Sequence, residues 1–466
     1  MSPFEPGGQH QSNWNVKLQN LEKWLKTNGD FTLSDRVILQ DTQKSGRGLY
    51  LKTGKISRNE VLMTIPSECQ LNFHTAVYHI SQFNPKLSFD GVTCQDSTIA
   101  PSDEVDPRFQ MYEILSNELV HSLSSFQLLC VYILFEWKIL PHWNTAQSFW
   151  KPFFDVFPTL NELEAIPALW MLGTEETNQP LFECLPMASR VHAERIAAQV
   201  RNDWSVIEPI VKQWCNAFED SNVSLTLATL YMHFLHIYFV VNSRCLYIQI
   251  PLKDSIHDNF TLVPYVDFLN HNADSEIYCS PQINRMKKGK YGLGAFSIVG
   301  GSHQYSQPGE EILLSYGAHS NDFLLNEYGF VLAENKWNYI DVSAHCESII
   351  KELPIQDFLR KHDFWGEYTI SGSDISYRLL VAIAAKVCPD LKKVEKFMLG
   401  YLTEASFDPA MKILLKSFML DLAQQIKARI ETIKKMANVD QLCANNILNI
   451  YQGYQMILQR HMAEMT

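Results

Sequence analysis

The sequence predicts an α+β protein, with a β-rich core interrupted by a helical insert and followed by an all-helical C-terminal domain. Three observations carry this expectation. Short runs of strand character occur early, at residues 48–52 and 61–65, and return late, at 245–250, 261–269, 292–298 and 311–315. Between them, from about residue 116 to 229, the apolar spacing is helical, as in "SSFQLLCVYILFEWKIL" and "DWSVIEPIVKQWCNAF". After about Glu334 it stays helical to the end.

Each element has a local reason. In "NVKLQNLEKWLKTNG", Val16, Leu18, Leu21, Trp24 and Leu25 share one helical face, and Gly29 stops the helix. "GLYLKTGKISRNEVLMTIPSECQL" reads as two strands separated by a turn-rich loop and closed by Pro66. The insert covers about residues 110–230. Beyond it, "LVPYVDFLNHN" is an apolar run that stops on three polar side chains, Asn270, His271 and Asn272. In the last part, Leu415, Phe418, Met419, Leu422, Ile426, Ile430 and Ile433 form one stripe, and Ile447, Ile450, Tyr454, Ile457 and Leu458 another, as in a helical bundle. The expected division is a catalytic domain at 1–335 and a helical domain at 336–466.

Bulk properties narrow the function classes. A chain of 466 residues, 46% hydrophobic, can bury a large core and divides naturally into two units, at roughly 150 residues or more per domain. Its apolar runs are broken by charge before the roughly 20 residues a bilayer requires, and its start has no basic-then-apolar signal segment. The cytoplasm is the expected location, with the nucleus as a second compartment. The ten cysteines stand singly with no C-x-x-C pair, so neither a zinc site nor a disulfide scaffold is expected. A net charge of −12 disfavours broad phosphate contact and suits a basic protein partner.

Three constellations can carry chemistry. In "KSGRGLYL", Gly46 and Gly48 flank Arg47 before a strand, where glycines let the backbone approach an anionic group. The pattern lacks the third glycine of a dinucleotide fingerprint, and by itself it reads as a glycine turn. Asn270 and His271 at a strand end read by themselves as a turn. In "PGEEILLSYGAHSNDFLLNEYGF", a Pro-Gly turn leads into a strand that ends on Tyr316, by itself an amphipathic packing residue.

In order, spacing and flanking residues, the three together resemble the SET-domain protein methyltransferases. The long helical interruption and the helical C-terminal domain resemble the branch of the Rubisco large-subunit methyltransferase, which includes methyltransferases of ribosomal proteins and elongation factors. The cysteine cluster that binds zinc in histone-modifying members has no counterpart after Tyr316. The resemblance implies a SET-type core, S-adenosyl-L-methionine as cofactor, no metal, and a non-histone protein substrate, a ribosomal protein or translation factor. It further implies substrate docking on the helical domain; a monomer is expected, and the charge and the broken apolar runs set aside direct nucleic-acid and membrane contact.

By the same resemblance, Tyr316 is the catalytic residue. The backbone of Gly46, Arg47 and Gly48 receives the cofactor's carboxylate and amine, Asn270 its amino-acid end and His271 its adenine. Arg244 stands beside the cofactor and the lysine channel, Asp267 lines the substrate side, and Tyr328 and Phe330 pack around the adenine or the channel. A strand-edge salt bridge for Arg244, a solvated Asp267 and plain packing for the two aromatics compete with these roles. A histidine-directed relative has asparagine two positions after the arginine. Here that position is Leu246, which offers an imidazole no hydrogen bond and lies well against a lysine stem.

Other features read as structural. His233 and His236 in "YMHFLHIYF" fit no common zinc spacing and read as satisfied core histidines. "RMKKGKYG" reads as a basic hairpin loop at 285–292 whose functional alternative is contact with an acidic substrate surface, and no G-x-S-x-G elbow supports a hydrolase. Two function classes remain: a protein-lysine N-methyltransferase, or a catalytically inactive SET-like peptide-binding adaptor. The joint presence of glycine, Asn-His and tyrosine motifs favours the enzyme, since an adaptor has no need of a cofactor site.

Overall fold

A computed structural model describes residues 8–42, 46–89, 106–143, 145–173, 178–218, 225–250, 252–253, 258–274, 278–289 and 291–465. The chain forms two compact units, residues 1–163 with 198–316, and residues 164–197 with 317–466. The expected division at residue 335 falls inside the second unit. Leu325, together with Trp170, Leu181 and Phe182 from the excursion at 164–197, belongs to the same apolar core as Ile340, Ile447 and Ile450.

The first unit opens with helix α1 (Gly8–Thr27), whose Leu21 and Leu25 are fully buried. Its strands are β1 (Thr32–Leu33), β2 (Val37–Thr42), β3 (Gly46–Leu51), β4 (Val61–Ile65), β5 (Leu71–Asn72), β6 (Leu246–Tyr247), β7 (Phe260–Leu262), β8 (Ser280–Lys288), β9 (Gly294–Val299) and β10 (Glu311–Ile312). Among the described residues they form three antiparallel sheets, in the orders β1-β4-β9-β8, β10-β3-β2 and β5-β7-β6. The helical interruption lies between β5 and β6. Its last helix, Leu227–Arg244, hands the chain back to the sheets at Leu246.

Several expected strands are shorter, for identifiable reasons. The apolar run after Phe260 pairs only to Leu262, because Pro264 has no N–H for a ladder and Tyr265 turns to φ +68°. A 3-10 turn, Val266–Phe268, then carries Asp267. The expected strand at 245–250 stops at Tyr247, since Ile248 and Ile250 donate instead to the main-chain and side-chain oxygens of Asn259 at 3.0 and 2.7 Å. Arg285–Lys288 of the expected basic loop belong to β8, and Lys290 lies outside the described residues, as do Lys44, Ser45 and Cys94. His236 is the core histidine the spacing suggested. Its Nε2 lies 2.7 Å from the Pro158 carbonyl, and burial pushes its pKa down to about 4.

The tyrosine strand continues beyond β10 as single bridges. Leu314 N donates to Asn270 O at 2.8 Å, Asn272 N to Leu314 O at 3.0 Å, and Cys279 N to Leu313 O at 2.8 Å. Residues 313–314 are thus laid between the Asn-His turn and Cys279.

The second unit contains both C-terminal stripes on helices Ala410–Lys434 and Gln441–Glu464, with Phe418, Met419, Ile447 and Ile450 buried in its core. Inside it, on helix Asn321–Tyr328, Asp322 is buried. Tyr454 Oη donates to its Oδ2 at 2.7 Å, while Oδ1 has no hydrogen-bond partner among the described residues. Burial pushes its carboxyl pKa from 3.8 up to about 6, with the tyrosine hydroxyl opposing. Because the folded pKa is raised, its favourable contribution is complete below about pH 4 and is lost as pH rises through about 6. Asp322→Asn, which keeps an acceptor for Tyr454, should therefore raise thermal stability at pH 7.5, by at most about 3 kcal/mol, and change it little at pH 4. Thermal denaturation of both proteins at both pH values checks this.

Candidate active site

The glycine motif sits at the turn of the β2–β3 hairpin, where Thr42 pairs with Gly46, Asp41 with Arg47 and Gln40 with Gly48. Gly46 has φ +65°, a conformation costly for a side-chain-bearing residue, and no atom of the described residues beyond its chain neighbours would lie within 4 Å of a Cβ placed there. The strand therefore begins with exposed, approachable backbone. Gly48 is needed for a different reason, since a Cβ would stand 2.7 Å from Glu311 Oε1 and 3.1 Å from Asn270 Nδ2. Arg47 directs its side chain to neighbours of the hairpin. It forms an ion pair with Glu162, lies 3.5 Å from Val156 O through Nη1, and places its guanidinium 4.3 Å from the Trp14 ring centroid.

Asn270 joins the motifs. Its Nδ2 donates to Arg47 O at 3.1 Å and to Glu311 Oε1 at 2.7 Å, tying the glycine hairpin to the tyrosine strand. The threaded bridges at Leu314 bring Tyr316 alongside. Tyr316 N donates to His271 Nδ1 at 3.1 Å, and the two rings stack 5.1 Å apart with planes inclined by 22°. Tyr316 Oη donates to Leu269 O at 2.7 Å, which fixes the direction of the phenol. Burial pushes the phenol pKa up to about 12, so at neutral pH the group is a hydrogen-bond donor and not a base.

Arg244, the last residue of its helix, reaches the same turn. Its Nη1 donates to Asp267 O at 2.9 Å and pairs with Asp267 Oδ2 at 3.2 Å. The Asp267 side chain is only 1% exposed. Burial raises its carboxyl above the ordinary range, and the guanidinium pulls it back in part. Arg244 Nε and Asp267 Oδ1 are buried without hydrogen-bond partners among the described residues, the signature of a site with polar capacity to spare. Leu246 is half-buried in β6, paired with Thr261. Approachable glycine backbone, a buried carboxylate and a spare N–H suit a ligand carrying both a carboxylate and an ammonium. Among the described residues no group of His, Cys, Asp and Glu could hold a metal ion.

Tyr328 and Phe330 stand in the second unit with ring centroids 6.1 Å apart, Tyr328 ending a helix capped by Gly329 at φ +80°. The other residues singled out from the sequence share the first unit. Sequence reasoning passed over Glu311, Glu162 and Trp14. Glu311 stands inside the quoted "PGEEILLSYG", whereas nothing local marks Trp14 or Glu162 as partners of Arg47.

Small antiparallel sheets, with a tyrosine segment threaded beside an Asn-His turn, define a protein of the SET fold. Solved structures agree. The SET domain of LSMT bound to lysine and AdoHcy superposes with TM-score 0.55 at 18% identity, covering 97% of this chain and 91% of that one. Rubisco LSMT bound to sinefungin and monomethyllysine gives 0.54, also at 18% identity, over 96% and 91%. The model of the Ribosomal lysine N-methyltransferase 2 C-terminal domain matches residues 338–464. Ribosomal lysine N-methyltransferase 2 of Saccharomyces cerevisiae is 41% identical, over 96% of this chain and 99% of its own length. Ribosomal lysine N-methyltransferase set11 of Schizosaccharomyces pombe is 31% identical over 37% of this chain and 39% of its own. The chain belongs to the ribosomal lysine N-methyltransferase family.

Proposed function

We propose that this protein transfers a methyl group from S-adenosylmethionine to a lysine side chain of a ribosomal protein, with Tyr316 as the catalytic residue. The observation that carries the assignment of Tyr316 is the fixed direction of its hydroxyl, held on Leu269 O beside Asn270 and His271. The cofactor supplies an electrophilic methyl on a sulfonium. The amine must attack it in line, so the protein contributes alignment more than acid–base power. A lysine ammonium, with a free pKa near 10.4, has no lone pair and must first lose a proton to water. Apolar walls such as Leu246 favour the neutral amine by desolvation and offer nothing to hold an imidazole.

In this reading the backbone of Gly46–Gly48 and the Asn270 amide take the amino-acid end of the cofactor, and His271 lies toward its adenine. Arg244 and Asp267 form the polar wall at the reacting end. Tyr316, protonated at neutral pH and donating its proton to Leu269 O, turns its acceptor oxygen toward the junction where amine and methyl meet, favouring the positive charge that develops in the transition state. The work would be done in the cytoplasm or nucleus, by a monomer that recognises protein and not nucleic acid.

Two measurements test the proposal. Calorimetry should show S-adenosylmethionine binding to the isolated protein. Mass spectrometry of ribosomal proteins from cells with and without the gene should show a methyl-lysine lost with it. No cofactor binding would return the chain to the adaptor class, and a methyl-histidine product would overturn the lysine assignment.

A further inference from the structure

Helix α1 reaches both halves of the site. In its first half, Trp14 lays its ring over the Arg47 guanidinium, 4.3 Å from centroid to Cζ, and meets Phe268 edge-on at 6.0 Å. Two turns later, Glu22 Oε1 accepts the Tyr265 hydroxyl at 2.7 Å. Arg47 is the residue between the two glycines, and its carbonyl accepts from Asn270 Nδ2. Tyr265 precedes Asp267 and Asn270 on the other wall. It is 1% exposed and sits at φ +68°, a backbone state that a non-glycine residue keeps only where its surroundings enforce it. The far side of Arg47 is held by Glu162.

We propose that helix α1 is a clasp that presets the cofactor site, with Trp14 and Glu162 acting as positioning residues through Arg47. The side chain of Arg47 is gripped between an indole and a carboxylate, so the main chain of the glycine turn is fixed before any ligand arrives, and the cost of ordering it is removed from binding. The same helix fixes the opposite wall through Glu22 and Phe268. Neither Trp14 nor Glu162 is assigned contact with cofactor or substrate. Their loss should therefore weaken cofactor binding while leaving the chemical step intact.

This inference rests on the S-adenosylmethionine reading above, and the test separates the two. Wild-type protein, Trp14→Ala, Trp14→Phe and Glu162→Gln are compared by calorimetry with S-adenosylmethionine and by steady-state kinetics. Trp14→Ala and Glu162→Gln are expected to raise Kd and KM for S-adenosylmethionine about tenfold, as the loss of one stacked or ion-paired guanidinium contact implies. Turnover at saturating cofactor and KM for the protein substrate should stay within about twofold of wild type. Trp14→Phe, which keeps a ring under the guanidinium, should recover most of the affinity. Unchanged cofactor Kd in folded variants, or equal losses in turnover and both KM values, would overturn the clasp alone. Absence of binding by the wild type would overturn the cofactor reading together with it. Should Trp14→Ala fail to fold, Glu162→Gln, altering a partly exposed side chain, decides the matter by the same criteria.

Discussion

Tyr316→Phe is expected to fold as the wild type does, to bind S-adenosylmethionine with little change, and to transfer methyl at least about tenfold more slowly, a rise of about 1.4 kcal/mol in the barrier. Fold and cofactor binding survive because the ring keeps its stacking on His271 and the main-chain N–H keeps its bond to the imidazole. What disappears is the hydroxyl, with its hydrogen bond to Leu269 O and the acceptor oxygen that the proposed mechanism turns toward the amine. The phenol of the wild type titrates at about 12, so turnover should climb with the deprotonation of the target amine between pH 7 and 9, with no fall from ionisation of Tyr316. Single-turnover rates for the two proteins, read by mass spectrometry, settle the point. Equal rates would remove Tyr316 from the mechanism.

Arg244→Met should cost about 3–5 kcal/mol of stability, because it strands a carboxylate whose side chain is 1% exposed. The Asp267 carboxyl is already raised by burial, and Arg244 is the principal group holding it down. Without the guanidinium it rises further, so the variant loses least in acid and progressively more as pH climbs through the folded value. Asp267→Asn in the same chain removes the stranded charge, and the double variant should recover a large part of the loss. Urea unfolding midpoints of wild type, single and double variants at pH 5 and 8 measure this. A double variant as unstable as Arg244→Met would show that the ion pair is not the cause.

Much of the candidate site was legible in the sequence, because the residues that the fold brings together lie in short contiguous motifs. Asn270 and His271 are marked by the polar break after an apolar run, Tyr316 by the Pro-Gly turn and apolar segment before it, Gly46 by a positive φ, and Gly48 by neighbours that leave no room for a side chain. The boundaries of the elements were less legible. The apolar run before Asn270 resembles a strand by composition, yet Pro264 and the positive φ of Tyr265 decide its end, and the latter depends on packing against Phe31, Phe268 and Glu22. The partners of Arg47 were hidden because Trp14 and Glu162 lie far from it in sequence, on segments whose periodicity reports only that they are helical or turn-like. Leu71–Asn72 escaped notice as a strand because two residues give no alternation to detect. The helical stripes of the last domain were plain. That the segment 164–197 leaves the insert to join their core was not, since an apolar face does not say which other face it meets.

That excursion decides how the polypeptide can be handled, by the ribosome that makes it and by the experimenter who shortens it. Neither unit is a continuous stretch, since the chain leaves the first at residue 163, returns at 198 and departs for good at 316. During synthesis Trp170, Leu181 and Phe182 emerge long before Ile340, Ile447 and Leu458, their eventual company, so an apolar face must wait for the final helices. Cutting the gene at the end of the sheets would make that wait permanent. The truncated product would keep Tyr316 and the glycine turn, but would carry an uncovered oily flank in its middle and clump with its copies. A shortened catalytic piece is therefore better made by replacing 164–197 with a brief polar connection than by stopping early.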